Sequence, residues 1–211
     1  MYREIQEALQ AAGEDEAVVC AVLTGAGDYY SSGNDLSNFT NIPPEGPQKM
    51  AAEAKDTLKE FVGTFIDFPK PLIAGVNGPA VGIPVTLLAL CDLVYAADNA
   101  TFHLSVMSLG QSPEGCSSLL FPRFMGPAQA NEMLMAGVKL TAGEAYERGL
   151  VTRVYPKSEF QQKLTENALH IASLPPMSLQ KSKALIRSSM RQQAARGKRG
   201  RVPAAGGEMA V

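Results

Sequence analysis

Apolar residues recur at Ile5, Ala8, Leu9 and Ala12, a spacing that puts them on one helical face and predicts an opening helix stopped by Gly13. Residues 18–24 form a short, valine-rich run, the pattern of a buried strand, which ends at Gly25-Ala26-Gly27-Asp28. A polar loop centred on Ser31-Ser32-Gly33-Asn34-Asp35 follows. After breaks at Pro43, Pro44, Gly46 and Pro47, the spacing of Leu58, Phe61, Val62 and Phe65 predicts a helix over residues 50–66, closed by Phe68-Pro69-Lys70-Pro71. Residues 72–76 and 93–97 are continuous apolar runs of strand length, expected to be fully buried, with a helical segment over 82–90 between them. Beyond Phe102 the pattern is mainly helical, over 117–124, 127–136, 142–148, 158–172 and 178–193, with a short strand at 151–155. Strands that alternate with helices predict an α/β architecture. Residues 194–211 are rich in Gly, Ala, Arg and Pro, lack apolar periodicity and are expected to be disordered.

The nearly unbroken apolar stretch over residues 71–97 is long enough to cross a bilayer. Asn77, Asp92 and the breakers Gly75, Gly78, Pro79, Gly82 and Pro84 cut it into strand, turn, helix and strand, so it reads as protein core. With 211 residues, 45% hydrophobic and 19% charged, the chain suits a single domain with a sizeable core. A net charge of -2 and a pI near 5.8 supply no global basic field, which argues against a nucleic-acid or anionic-membrane partner. Cys20, Cys91 and Cys116 are odd in number and form no CxxC pair, which suits reduced thiols in an intracellular compartment. The first ten residues carry charges at Arg3, Glu4 and Glu7 and do not resemble a signal peptide.

Gly25-Ala26-Gly27 after a strand invites a dinucleotide-binding reading, but Tyr30 stands where that fingerprint needs its third glycine. No Walker A, HExxH or GxSxG pattern occurs. His103 and His170 have no metal-ligand spacing around them, so no metal is implied. Cys116 has no general base in a nucleophile motif and reads as a packing residue. Asp92, at the end of a buried segment, reads as a residue that caps or orients backbone. The basic stretch 187–201 lacks an aromatic reading surface and is expected to be a solvated tail.

The segment Tyr30-Ser31-Ser32-Gly33-Asn34-Asp35-Leu36 resembles the loop of crotonase-superfamily enzymes in which a backbone N–H meets an acyl thioester. Asn77-Gly78-Pro79-Ala80-Val81-Gly82-Ile83-Pro84 resembles the strand-to-helix turn that supplies their second N–H, and the two motifs come in the family's order and spacing. The resemblance makes the backbone amides of Asn34 and Ile83 the oxyanion hole, and makes Asn34, Asp35, Leu36, Ser37 and Asn38 substrate-binding residues. Hydratases of the superfamily carry two glutamates, and Thr86 and Val106 stand at the matching places. Leu109-Gly110-Gln111-Ser112-Pro113-Glu114-Gly115-Cys116-Ser117-Ser118 instead puts a carboxylate one loop later, similar to the peroxisomal Δ3,Δ2-enoyl-CoA isomerases. The implied catalytic residue is Glu114, in an apolar wall that Leu109, Leu119 and Phe121 could provide to raise its pKa. Read without the resemblance, Glu114 is an acidic residue favoured at a helix start.

The family implies a crotonase-like (ClpP/crotonase) spiral of ββα units with a helical C-terminal region. Here it would occupy residues 1–193, incomplete at both ends, with 194–211 as a family-atypical tail. Thr141-Ala142-Gly143-Glu144-Ala145 through Gly149-Leu150-Val151 is a later family-like segment. The implied activity is conversion of 3-enoyl-CoA to 2-trans-enoyl-CoA in fatty-acid β-oxidation. CoA belongs to the substrate, so no separate cofactor is implied; Lys55, Lys59, Lys70 or basic residues of a later helix could meet its phosphates. The family also implies a trimer-like homo-oligomer, and a peroxisomal location with the mitochondrion as a second compartment, although no Ser-Lys-Leu type address is present. Two other readings stay open: a catalytically impaired acyl-CoA-binding or oligomer-modulating fragment, and an unrelated α/β scaffold with structural glycine turns.

Overall fold

The computed structural model describes residues 1–35, 46–105, 107, 110 and 112–197, with backbone only at 47, 48, 50–52 and 189–197. Strands β1 (Ala21–Thr24), β2 (Leu72–Val76), β4 (Leu93–Ala97) and β7 (Arg153–Tyr155) lie side by side in that order, all parallel. A smaller sheet joins β3 (Ala80–Val81) to β5 (Thr101–His103) in parallel and β5 to β6 (Leu140–Thr141) antiparallel. Ser31 adds a one-residue parallel bridge to Ala80 on the far edge of β3.

Following the opening helix α1 (Tyr2–Glu14), the chain repeats one unit three times: a strand in the large sheet, a strand or bridge in the small one, then a helix. The first unit is β1, the Ser31 bridge and α2 (Pro47–Asp67). The second is β2, β3 and α3 (Ile83–Thr86), and the third is β4, β5 and α4 (Ser117–Met125). This is the α/β spiral of ββα units that the family resemblance implied. Helices α5 (Pro127–Leu134), α6 (Ala142–Glu147), α7 (Lys157–Ala172) and α8 (Pro176–Gly197) complete the described chain.

The two central strands hold the core. All five residues of β2 are buried, and Leu72, Ile73 and Val76 are wholly shielded, each side chain contributing about 1.5–3 kcal/mol relative to exposure. β1 departs from expectation. It is an edge strand of four residues whose side chains alternate between half-buried and exposed, because only one of its sides has a sheet neighbour among the described residues. The small-sheet strands β3, β5 and β6 were not foreseen; at two or three residues they are too short to show alternation. Gly13 does not stop α1, which continues through Glu14 while Gly13 packs near Pro69. The segment 82–90 is one turn of α-helix followed by a 3-10 turn at Leu87–Leu90, with Pro84 in the first turn. Residues 194–197 are helical rather than disordered, and 198–211 lie outside the described residues.

Asp92 orients backbone, as its position suggested: its Oδ2 accepts from the Leu72 N–H at 2.8 Å while its own N–H donates to the Leu72 carbonyl at 2.8 Å. The same carboxylate pairs with Lys183 and Arg187 of α8, at 2.8 Å each. Lys183 also donates to the Lys70 carbonyl, and Arg187 to the carbonyls of Phe65 and Leu90. Arg187 is therefore a buried anchor and not the start of a solvated tail. A residue type almost never buried unpaired is held here by its charge partner and by backbone acceptors.

Candidate active site

The two glycine-bearing turns are stapled together by backbone. The N–H groups of Tyr30 and Ser31 donate to the Pro79 carbonyl at 3.1 and 3.3 Å, and the Val81 N–H donates to the Ser31 carbonyl at 3.0 Å. Asn77 sews the other end, accepting from the Gly25 N–H at 3.0 Å and donating to the Gly27 carbonyl at 2.8 Å. Gly78 makes the approach possible, since a Cβ there would lie 1.9 Å from the Asp28 carbonyl oxygen. Gly82 then ties the second turn to β5 by donating to the His103 carbonyl at 2.9 Å.

Past this staple each turn presents a backbone amide. Ile83 is the first residue of α3, and its N–H has no acceptor among the described residues, as the geometry of a helix start dictates. Its side chain is buried in the cluster that includes Phe61, Leu87, Leu90 and Leu120, which fixes the direction of its amide. Asn34 is exposed, and its N–H likewise has no acceptor among the described residues. Its side-chain Oδ1 accepts from the Tyr2 hydroxyl at 2.5 Å. Two unsatisfied donors at adjacent turns are suited to an oxygen that gains charge during a reaction.

Glu114 sits just ahead of α4, the helix of the third unit, as Asn34 and Ile83 sit ahead of or at the helices of the first two. Its carbonyl accepts from the Ser117 N–H and hydroxyl at 3.1 and 2.6 Å, while Gly115 and Cys116 both adopt left-handed backbone, φ 63° and 64°. Thr86 packs into this turn. A Cβ on Gly115 would lie 2.3 Å from Thr86 Oγ1, and the buried Thr86 hydroxyl donates to the Ile83 carbonyl at 2.9 Å. Thr86 thus braces both the Ile83 turn and the Glu114 loop. Burial pushes the Glu114 carboxyl above its ordinary range, and among the described residues that carboxylate has no cationic or hydrogen-bonding partner.

Leu119 and Cys116 pack on the same cluster as Ile83 and Tyr2, in line with a wall beside the site. Phe121 does not: it belongs to the neighbouring cluster with Val85, Leu88 and Phe102. Asp35 follows Asn34 in the first turn, whereas Leu36, Ser37, Asn38, Val106 and Leu109 lie outside the described residues. Lys55 and Lys59 are exposed on α2, but Lys70 is not available to a phosphate; it is buried, with Nζ on the carbonyls of Ala12 and Asp15 at 2.8 and 2.6 Å. His170 is exposed near the end of α7, and no three metal-ligating side chains converge among the described residues. Tyr2 was missed by sequence reading, since a tyrosine 32 residues from Asn34 leaves no local pattern. Lys183 and Arg187 were missed as anchors, although their spacing of one helical turn was a signal of a shared face.

A family model described as Enoyl-CoA hydratase/isomerase matches residues 1–203. Enoyl-CoA delta isomerase 2 of Homo sapiens is 59% identical over 193 residues, 92% of this chain and 49% of that protein. Enoyl-CoA delta isomerase 3, peroxisomal, of Mus musculus is 51% identical over 92% of this chain and 60% of its own length. The chain thus spans about half the length of the curated relatives it matches. Among solved structures, the enoyl-CoA hydratase/isomerase from Pseudoalteromonas atlantica T6c superposes with a TM-score of 0.82 at 34% identity, covering 94% of this chain and 76% of that one.

Proposed function

The chain belongs to the enoyl-CoA hydratase/isomerase family, and we propose that it moves the double bond of a 3-enoyl-CoA to the 2-trans position with Glu114 as the proton carrier. The Glu114 carboxylate takes a proton from C2, and the electron pair delocalises through C1 onto the thioester oxygen and, through the conjugated C3–C4 double bond, onto C4. The N–H groups of Asn34 and Ile83 hold that oxyanion. The same carboxyl group then delivers the proton to C4, leaving the double bond between C2 and C3. No atom is gained or lost, so one acid–base residue suffices.

The observation that carries this reading is the pairing of a desolvated Glu114, unpartnered among the described residues, with a threonine at the first hydratase position. Water addition in the family's hydratases uses two carboxylates; here the buried Thr86 hydroxyl is committed to the Ile83 carbonyl. Support for the isomerase branch also comes from the two relatives named enoyl-CoA delta isomerases. The word peroxisomal in the mouse relative's name supports a peroxisomal location. A homo-oligomer, trimeric by family resemblance, is the proposed assembly, and sedimentation of the purified chain tests it.

The decisive assay follows conversion of a 3-enoyl-CoA to its 2-trans isomer by the purified chain and by Glu114→Ala. Turnover that depends on Glu114 supports the reading, and equal rates in the two proteins remove Glu114 from the mechanism. Binding of acyl-CoA without turnover in either would favour a catalytically impaired binding fragment. A chain that binds no acyl-CoA overturns the ligand assignment itself.

A further inference from the structure

Tyr2 stands in the first turn of α1, yet its hydroxyl reaches the active-site turn, donating to Asn34 Oδ1 at 2.5 Å. Its ring stacks on Phe61 at 4.2 Å between centroids with an interplanar angle of 17°. Phe61 is itself almost wholly buried and packs edge-on against the fully buried Phe65, so the phenol is mounted on a rigid base. Tyr2 is also close enough to Glu114 to sense its charge: burial, then the Glu114 carboxylate, push the phenol above its usual range, against the opposing pull of the Asn34 hydrogen bond.

Asn34 needs such a tether. Among the described residues the backbone bonds of the first turn run to Ser31, and the Ser31 hydroxyl accepts from the Gly33 N–H at 3.3 Å. Beyond that, the exposed Asn34 is held among the described residues by the Tyr2 hydroxyl. Ile83 differs, since its helix and its buried side chain both fix its amide. An oxyanion donor acts through preorganisation, so a donor on a loosely held turn loses part of its effect.

We propose that Tyr2 is a positioning residue of the acyl site: its hydroxyl holds the Asn34 side chain, and through it aims the Asn34 N–H at the thioester oxygen. This rests on the acyl-CoA reading above. Tyr2→Phe keeps the ring, its stacking on Phe61 and its packing, and deletes only the tether. The effect falls on the charge-developing step, so kcat drops about tenfold while KM stays within about twofold, a fraction of the loss seen when an oxyanion donor is removed outright. Asn34→Ala has a similar effect, and the double variant is no worse than either single one, because both remove the same tie.

The second readout is the carbonyl stretching frequency of a bound saturated acyl-CoA, which reports polarisation of the thioester without turnover. In Tyr2→Phe and Asn34→Ala the frequency shifts toward its value in water. An unchanged kcat and an unchanged frequency in Tyr2→Phe overturn the proposal, as does a double variant whose losses simply add. If the native chain binds acyl-CoA but turns over no 3-enoyl-CoA, the isomerase reading fails while the frequency still decides the role of Tyr2. If no acyl-CoA binds, both fall together.

Discussion

Glu114 and Asp92 are both carboxylates set at the edge of the same fold, and their surroundings are opposite. Asp92 receives a Lys183 ammonium, an Arg187 guanidinium and the Leu72 N–H, all at 2.8 Å. Glu114 has no such partner among the described residues, and burial raises its pKa. The Asp92 seam also opposes the penalty of burial on its partner: desolvation pushes the Lys183 ammonium below its usual range while Asp92 pulls it back. Charge is neutralised in one place and left without a counter-charge among the described residues in the other. A saturated carboxylate cannot serve as a base, and an unpaired one cannot serve as a clamp.

The largest test of this contrast is Glu114→Gln, for which kcat for 3-enoyl-CoA isomerisation falls about a thousandfold, as expected when the single acid–base group is lost. Its thermal midpoint stays level or rises at neutral pH. The sign follows from the raised folded-state pKa: the stabilising contribution of Glu114 is present at low pH and is lost as the carboxyl ionises, so the neutral glutamine escapes that loss. A large fall in the midpoint would mean that Glu114 is structural.

Asp92→Ala reverses the profile. It leaves Lys183 and Arg187 buried without their anion, and stability falls by about 3 kcal/mol in a urea titration, while Glu114 and its turn remain intact. An unchanged midpoint would show that the seam contributes nothing net.

Gly115→Ala strikes between the two regions. It forces a side chain into left-handed backbone and onto Thr86 Oγ1, costing about 2 kcal/mol in the same titration. Adding Thr86→Ala recovers part of that loss by removing the Oγ1 clash, while the 3.0 Å approach to Cβ of residue 86 and the backbone strain remain. The smallest effect is on pH dependence. The acid limb of kcat/KM is expected to have its midpoint above the ordinary carboxylate value of 4.5, because the proposed mechanism needs the ionised Glu114 that burial disfavours. A midpoint at or below 4.5 would place Glu114 in a more polar setting than its burial implies.

What could be read in advance follows from how far each interaction reaches along the chain. Leu72–Val76 and Leu93–Ala97 announced themselves as buried strands, because burial on both faces leaves continuous apolar runs. The helix over Pro47–Asp67 was legible from its apolar stripe. β3 and β5 were not, since two or three residues carry no period, although they define the small sheet and hold the second turn in place. Asn34, Ile83 and Glu114 could be picked out by resemblance because their motifs are local. Tyr2 acts across 32 residues, and the failed reading of Arg187 has a similar cause: a basic residue entering a basic stretch looks solvated until the distant carbonyls of Phe65 and Leu90 are seen to receive it.

Those distant carbonyls also bear on the order of folding. Arg187 meets acceptors 97 and 122 residues away, and Lys183 one 113 residues away, so α8 is expected to lock after α2, the turn at Lys70 and the 3-10 turn at Leu87–Leu90 have come together. Closing such long loops comes late, and interactions formed late are absent from the transition state. Asp92→Ala is therefore expected to quicken unfolding while leaving the refolding rate nearly unchanged in stopped-flow measurements. The seam sets the lifetime of a folded molecule more than the speed of its making.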